Sequence, residues 1–329
     1  MEPLLEFEKP IAALEQKILE LRELAEREKT DFSHEVASLE EKVKILTQET
    51  FSKLTAWQRV QLSRHPSRPY MKDYVTTLFP DFMELHGDRT FGEDPAITGG
   101  IATWPKTGTP IVIIGHQKGR TTKQKILQNF GMPKPEGYRK AIRLMELANR
   151  FQLPLLTLID TPGAYPGIEA EERGQSAAIA QSLLTMFDLE IPVLAVIIGE
   201  GGSGGALALS VADKILMQEY SIYAVISPES CASILWSDPS LAEQASEKLK
   251  LSPQELLKLK VIDGIIPEPP GGAHRNLEQA TALLWKALQK HFGPMIEDST
   301  LVKNKKLAKK RTEKFRKIGS DCILKAAHE

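Results

Sequence analysis

Apolar residues recur at Ile11, Leu14, Ile18, Leu21 and Ala25, spaced 3, 4, 3 and 4 apart. The pattern restarts at Val36, Leu39, Val43 and Leu46, after the break Thr30-Asp31-Phe32-Ser33. Such spacing puts one apolar stripe on each of two helices, and the short break predicts an antiparallel hairpin. Asp or Ser at the break is a suitable N-cap. The repeat lasts only about two heptads per helix, which does not support a long coiled coil. The hairpin either packs on its own domain or serves as a docking arm for another subunit.

Residues 61–98 carry turn signals at His65-Pro66-Ser67-Arg68-Pro69 and Glu84-Leu85-His86-Gly87-Asp88-Arg89, with one helix predicted around 71–84. From about residue 99 the periodicity changes to strand–helix alternation. Gly99–Trp104 and Pro110–His116 read as two strands joined by a turn at Lys106–Thr109. A helix follows at about 137–151, with Arg139, Lys140 and Arg143 assigned to its wet side. Further strands are predicted at 155–159, 193–198, 214–218, 222–226 and 261–266. Further helices are predicted at 174–187, from about 204, and at 230–236, 241–249, 253–260 and 276–291. The runs Leu153–Ile159 and Ile191–Ile198 are apolar throughout. They suit strands buried on both faces and fall well short of the ~20 residues of a membrane helix. The pattern predicts an α/β fold divided into a helical arm at 1–60, a connecting segment at 61–98, a main domain at 99–292 and a basic tail at 293–329.

Composition narrows the function classes. The 329 residues suit one large domain with extensions, or two domains. With 42 Lys plus Arg against 43 Asp plus Glu, the net charge of -1 argues against a binder that holds nucleic acid through bulk positive charge. The two cysteines, Cys231 and Cys322, form no C-x-x-C pair, so a disulfide scaffold and a Cys-rich zinc site are both unsupported. The N-terminus has neither a secretory nor a transit pattern, and the reducing cytosol is the expected compartment. Between Lys303 and Lys317, nine Lys or Arg face one Glu. That segment reads as a solvated, partly disordered helix, or as a contact for an acidic partner or an anionic ligand.

Chemistry is concentrated at two strand ends. Leu155–Ile159 runs into Asp160-Thr-Pro-Gly163-Ala164-Tyr165-Pro-Gly167, and Val193–Ile198 runs into Gly199-Glu-Gly201-Gly202-Ser203-Gly204-Gly205. Each is a buried strand that breaks sharply into a turn and then a helix. A helix N-terminus leaves backbone N–H groups unpaired, and glycine lets a reacting oxygen approach them. Two such donors make an oxyanion hole. Gly199–Gly204 also fits G-x-G-x-x-G, with Glu219 as the acidic residue, but the crossover to the next strand near Lys214 is too short for a dinucleotide fold. Gly201–Gly205 fits the nucleophile elbow G-x-S-x-G, and Asp263 and His274 follow in the order of a Ser hydrolase triad with Ser203 as nucleophile. That hydrolase is the alternative reading.

Several ordered motifs carry a resemblance. They are Gly115-His-Gln-Lys-Gly-Arg120, Asn129-Phe-Gly-Met-Pro133, Pro135-Glu-Gly-Tyr-Arg-Lys-Ala141, Asp160–Gly167, Ala170-Glu-Glu-Arg-Gly-Gln175, Gly199–Gly205, Ile226-Ser-Pro-Glu229 and Pro267–Arg275. The chain closely resembles the carboxyltransferase alpha subunits of bacterial-type acetyl-CoA carboxylase, from the hairpin to about residue 290. The resemblance implies a ClpP/crotonase-like superhelix of ββα units with the N-terminal helical hairpin added. It implies transfer of a carboxyl group from carboxybiotin, on a separate biotin carboxyl carrier protein, to acetyl-CoA, giving malonyl-CoA. It also implies an α2β2 assembly with a beta subunit that carries the zinc, and biotin carboxylase in the wider complex. No cofactor is expected to be bound covalently here, and no metal is expected on this chain.

By resemblance, the backbone N–H groups of Gly204 and Gly205 are the first candidates for an oxyanion hole, with Gly163 and Ala164 second. Lys118, Arg120, Tyr165, Gly201, Gly202 and Ser203 are candidates for binding substrate or carboxybiotin. Lys118, Arg120, Lys123 and Lys125 either bind CoA phosphates or the carboxybiotin carboxylate, or form a solvated basic loop. Glu169, Glu171 and Glu172 read as a wet helix start. Cys231 reads as a small, partly buried residue at a helix start rather than a nucleophile. Ser230 stands where the family usually has Gly, which predicts a rearranged loop if that site needs positive φ. The segment Ile318–Cys322 departs from the family's usual tail.

Overall fold

The computed structural model describes residues 3–298 and 306–320. Its strands are β1 (Met83–Glu84), β2 (Ile97–Trp104), β3 (Thr109–His116), β4 (Leu155–Thr161), β5 (Val193–Gly202), β6 (Lys214–Gln218), β7 (Ile222–Ala224) and β8 (Gly264–Ile266). Among the described residues they form one sheet of order β1-β2-β3-β4-β5-β6-β8, with β7 pairing on β5. β1, β2 and β3 are antiparallel neighbours, and every pair from β3 onward is parallel.

The helices are α1 (Lys9–Glu28), α2 (Ser33–Ser52), α3 (Ala56–Ser63), α4 (Met71–Leu78), α5 (Thr122–Leu127), α6 (Pro135–Phe151), α7 (Ile168–Glu172) and α8 (Gln175–Asp188). They continue with α9 (Ser203–Leu207), α10 (Pro228–Trp236), α11 (Ala242–Lys248), α12 (Pro253–Lys258), α13 (Leu277–His291), α14 (Gly293–Glu297) and α15 (Leu307–Lys317). Side chains alternate across the sheet with period two. Val112, Ile114, Leu155, Ile159, Val193, Ala195 and Ile197 face α6 and α8. Ile111, Ile113, Leu156, Leu158, Leu194, Val196 and Ile198 face α4 and α13. Both faces are covered, which is why β4 and β5 read as unbroken apolar runs.

The hairpin forms as its spacing predicts. The turn is ordered by Asp31, whose carboxylate accepts the Ser33 N–H at 2.9 Å, while Phe32 holds the N-cap position. The arm joins the body through Ile11, Phe51, Leu54, Leu62 and Tyr220. A buried polar cluster adds to the seam. His274 Nε2 lies 2.8 Å from Glu8, His65 Nε2 lies 2.7 Å from the Pro3 carbonyl, and the two imidazoles stack at 4.1 Å.

Three expectations need correction. The helix predicted to reach residue 84 ends at Leu78, and Met83–Glu84 becomes an edge strand instead. Lys140 is not on the wet face of its helix. It is 1% exposed, ion-paired with Glu93, and donates to the Asp94 carbonyl at 2.8 Å. The basic tail is not a solvated helix through Leu307–Lys317. Arg311 is 1% exposed and donates to the carbonyls of Met186, Leu189 and Ile191 and to Asp213. Two of those carbonyls lie at the C-terminal end of α8, where a helix leaves carbonyls unpaired and favours a cation. Lys314 bonds the Asp213 carbonyl and Asp263. Ser230 needs no positive φ. It lies in the first turn of α10, and its N–H is held by the Ser227 hydroxyl at 3.2 Å. Cys322 lies outside the described residues.

Arg311→Met removes the cation paired with Asp213, which among the described residues keeps only the Val193 N–H, and takes a donor from three carbonyls. Removing one partner of a buried pair costs about 3–5 kcal/mol. Urea unfolding of the full chain should show a loss of that size; a loss under about 1 kcal/mol would mean that the tail helix is not held by this contact.

Candidate active site

The two glycine turns predicted from the sequence converge. β4 and β5 are parallel neighbours, so both turns leave the same edge of the sheet. A Cβ on Gly205 would stand 2.6 Å from the Gly163 carbonyl carbon and 2.8 Å from the Ala164 nitrogen. A Cβ on Gly202 would stand 2.1 Å from the Pro162 oxygen. Two backbones lie closer here than any side chain permits. The chain then enters α9 through Ser203, an exposed non-glycine residue at φ 52°. That left-handed conformation is costly for serine and marks a strained turn.

The donors are not equivalent. Gly204 and Gly205 sit in the first turn of α9, where N–H groups have no acceptor within the helix. The Gly163 N–H is engaged by the Thr161 hydroxyl at 3.1 Å, and that hydroxyl donates to the Gly163 carbonyl at 2.8 Å. Among the described residues the Ala164 N–H, beside Gly205, has no such partner. Gly201 and Gly202 end β5, pairing with Tyr223 and Ala224 of β7.

Two clefts flank the turns. One, of about 320 Å³, is mainly apolar and is lined by Ser203, Gly204, Leu207, Tyr223, Val225, Leu249, Leu256 and Val261. The other, of about 290 Å³, is charged and is lined by Arg64, Tyr70, Lys118, Lys125, Phe130, Pro162 and Glu200, among others. A larger cavity, of about 900 Å³, lies between the helical arm and the body, away from both turns.

Lys118 places its ammonium 2.6 Å from Asp160 and 3.8 Å from Glu200. Burial opposes that charge, but the two carboxylates outweigh it and hold the pKa above the ordinary lysine value. Glu200 also pairs with Arg64 at 2.8 Å, and Arg64 with Glu229 at 2.6 Å. Arg120 ion-pairs with Asp73, donates to the Pro66 carbonyl and stacks on the Tyr70 ring. Tyr165 lies beneath the Lys134 ammonium at 4.8 Å and lines neither of these clefts. Lys125 reaches the charged cleft, whereas Lys123 lies outside its lining on the exposed face of α5. Glu171 and Glu172 are exposed at the short helix α7, as expected.

The hydrolase triad is not assembled. Asp263 holds Lys314 and accepts the Ile215 N–H, while His274 is paired with Glu8 at the arm. The dinucleotide pattern fails as its short crossover predicts, because α9 has five residues. Cys231 is a half-buried free thiol in α10.

A family model described as acetyl co-enzyme A carboxylase carboxyltransferase-like matches residues 4–319. The chain is 54% identical over 314 residues to the acetyl-coenzyme A carboxylase carboxyl transferase subunit alpha of Geobacter metallireducens, covering 95% of this chain and 96% of that one. It is 52% identical to the protein of that name from Thermus thermophilus, covering 96% of this chain and 98% of that one. The chain belongs to the acetyl-CoA carboxylase carboxyltransferase alpha-subunit family. Solved structures share the fold at low identity. They include transcarboxylase 12S, at TM-score 0.52 and 18% identity over 67% of this chain and 42% of that one. A Pseudomonas malonate decarboxylase hetero-tetramer in complex with coenzyme A gives TM-score 0.57 and 13% identity over 78% of this chain and 98% of that one. The crotonase-like fold expected for this alpha-subunit family is thereby shown, and nothing favours a Ser hydrolase.

Some site residues escaped the sequence reading. Arg64 lies far from the glycine motifs in sequence, and Glu229, which ends the motif Ile226–Glu229, shows its pairing with Arg64 only in the fold. Asp160 and Glu200 were visible at the two strand ends, but their pairing with Lys118 needed the sheet order. His116, at the end of β3, is fully buried with both ring nitrogens unpartnered, and it approaches the Gly205 backbone without a well-formed hydrogen bond. Burial, with the Lys118 charge, pushes its pKa down to about 3.

An unfolded histidine titrates near 6.5. Below that pH the unfolded chain therefore binds a proton that the folded chain refuses, so stability falls with pH until the folded value near 3. Between pH 6.5 and 5, His116 alone accounts for about 2 kcal/mol. His116→Leu should shrink the stability difference between pH 7.5 and 5.0 by roughly that amount in urea unfolding; an unchanged difference would mean that the imidazole charges freely in the fold.

Proposed function

We propose that this alpha subunit, together with a beta subunit, transfers the carboxyl group of carboxybiotin to acetyl-CoA, forming malonyl-CoA. The observation that carries the site assignment is the convergence of the Gly204–Gly205 and Gly163–Ala164 backbones. Removing a proton from the acetyl thioester puts negative charge on its carbonyl oxygen. Releasing the carboxyl group from biotin puts negative charge on the ureido oxygen. Backbone N–H groups fixed where these charges develop lower the barrier without reorganising. The freed ureido group serves as the base, so no catalytic His–Asp pair is needed.

In this reading Gly204 and Gly205 supply one hole. Ala164 supplies the free donor of the other, since Gly163 N–H is held by Thr161. Gly201 and Gly202 keep the strand end narrow, and Ser203 presents its hydroxyl at the strained turn. Lys118 lines the charged cleft and Arg120 stacks on its Tyr70 wall, and both heads stay paired with carboxylates, so they order the cleft rather than charge it. Tyr165 supports the first turn from its flank. The biotin arrives on a carrier protein, with biotin carboxylase in the wider complex, and the working unit is α2β2 in the cytoplasm. Among the described residues no helix is long and apolar enough to cross a membrane. Zinc, in this reading, belongs to the beta subunit.

Gly204 offers a clean test. A Cβ there meets only Ile179, at 3.6 Å, which is ordinary contact. Gly204→Ala keeps the N–H and should keep most carboxyl transfer in the complex with beta. Gly204→Pro removes the N–H, and kcat should fall by at least about 10²–10³-fold, since proline also restricts Ser203 at the turn. Full activity in Gly204→Pro would sink the oxyanion assignment, and loss of an esterase activity in Ser203→Ala would favour a hydrolase instead.

A further inference from the structure

Three strand ends meet at one carboxylate. β3, β4 and β5 lie side by side, and Lys118, Asp160 and Glu200 stand at their ends. Asp160 is 1% exposed. Its Oδ1 accepts the Lys118 ammonium at 2.6 Å and the Glu200 backbone N–H at 2.9 Å. β4 ends one residue after Asp160, and β5 ends two residues after Glu200, where the two glycine turns take over. The strand beside the carboxylate carries glycine: a Cβ on Gly199 would stand 2.5 Å from Asp160 Oδ1.

We propose that Asp160 is a positioning residue which, with Lys118, sets the separation of the two glycine turns and so the spacing of their N–H donors. The proposal rests on the oxyanion reading of those turns. Charge-assisted hydrogen bonds are shorter and roughly twice as strong as neutral ones. One oxygen that holds an ammonium from β3 and an N–H from β5 therefore fixes β4 between its neighbours where the turns begin. Preorganised donors act only when held in place, and a displacement of about 1 Å can cost 10²-fold in rate. The Lys118 side chain is 14% exposed and has two carboxylates within 4 Å, so its charge is satisfied inside the protein rather than offered to a ligand. The other groups that face it are the Tyr70 hydroxyl, the neutral His116 and, through Glu200, Arg64.

The test compares Asp160→Asn, Lys118→Gln and the double variant in the complex with beta, measuring kcat, the KM for acetyl-CoA and the pH profile. Asp160→Asn should lower kcat about 10²-fold and leave KM within about threefold, because the residue touches no substrate. Its activity should recover toward acid pH, since the buried ammonium, having lost its nearest counter-charge, is restored by protons. A merely structural role would not produce that limb. Losses in the double variant should not multiply, because both changes break one contact. The double variant carries no unpaired buried charge, so it remains readable if Asp160→Asn fails to fold. A kcat within about threefold of wild type in both Asp160→Asn and the double variant, a loss confined to KM, or multiplying losses would overturn the proposal. The Gly204 pair separates the two layers. Full activity in Gly204→Pro removes the oxyanion reading itself. Inactive Gly204→Pro beside normal Asp160→Asn removes only the positioning role.

Discussion

The backbone of Gly205 lies so close to the Gly163–Ala164 peptide that nothing larger than hydrogen fits between them. Much of the main domain serves that approach. It needs two parallel neighbouring strands ending at one edge, which β4 and β5 provide. It also needs local slack, because two straight strands about 4.8 Å apart would hold their turns apart. The register supplies the slack. Ile159 pairs with Ile197, but Thr161 pairs with Gly201, so β5 carries two extra residues across the irregularity. The Asp160 carboxylate occupies the room this creates, against Gly199 and the Glu200 N–H. Glycines 199, 202 and 205 are thus the consequence of one packing constraint, each facing a different atom of the neighbouring strand or turn.

Much of this was legible in the sequence because it follows from periodicity. Unbroken apolar runs at 155–159 and 193–198 specified strands buried on both faces. The 3-4 spacing specified the hairpin, and the glycines marked where backbone chemistry is possible. What stayed hidden depended on sequence separation. Arg64 lies 136 residues from its partner Glu200, and Lys118 lies 42 from Asp160, so neither pair leaves a local signature. Burial of a charged side chain is hidden in the sequence for the same reason. Lys140 and Arg311 look like wet-face residues until their distant carbonyl and carboxylate partners are placed. The helix predicted to reach residue 84 failed for a different reason: Met83 and Glu84 gain more as partners of β2 than as a further helical turn.

The balanced composition conceals how internal the charge is. Arg68, Lys140 and Arg311 are each 1% exposed, and each is held by a carboxylate together with backbone carbonyls. A buried cation weakens a fold unless its donors are nearly all satisfied. These three meet that condition by tying separate segments together: the loop after α3 to β5, α6 to the loop before β2, and the tail helix to the end of α8. The net charge of -1 therefore says little about the field at the candidate site. There, Lys118, Arg64 and Arg120 are matched by Asp160, Glu200, Glu229 and Asp73.

The same turn pair separates two unlike clefts. Gly204 and Ser203 face the apolar one, while Pro162 faces the charged one. The two turns therefore border surfaces of different polarity, one carrying Lys118 and Glu200 and the other Leu207 and Leu256. Among the described residues, both clefts have apolar side chains open to water. Val225 is 77% exposed and Leu207 38% at the apolar cleft, and Phe130 is 52% exposed at the charged one. Apolar walls left open to water call for another surface. Stabilising an oxyanion through N–H groups also gains strength when water is excluded. Backbone donors at an open edge would therefore gain electrostatic strength from any surface that covered them.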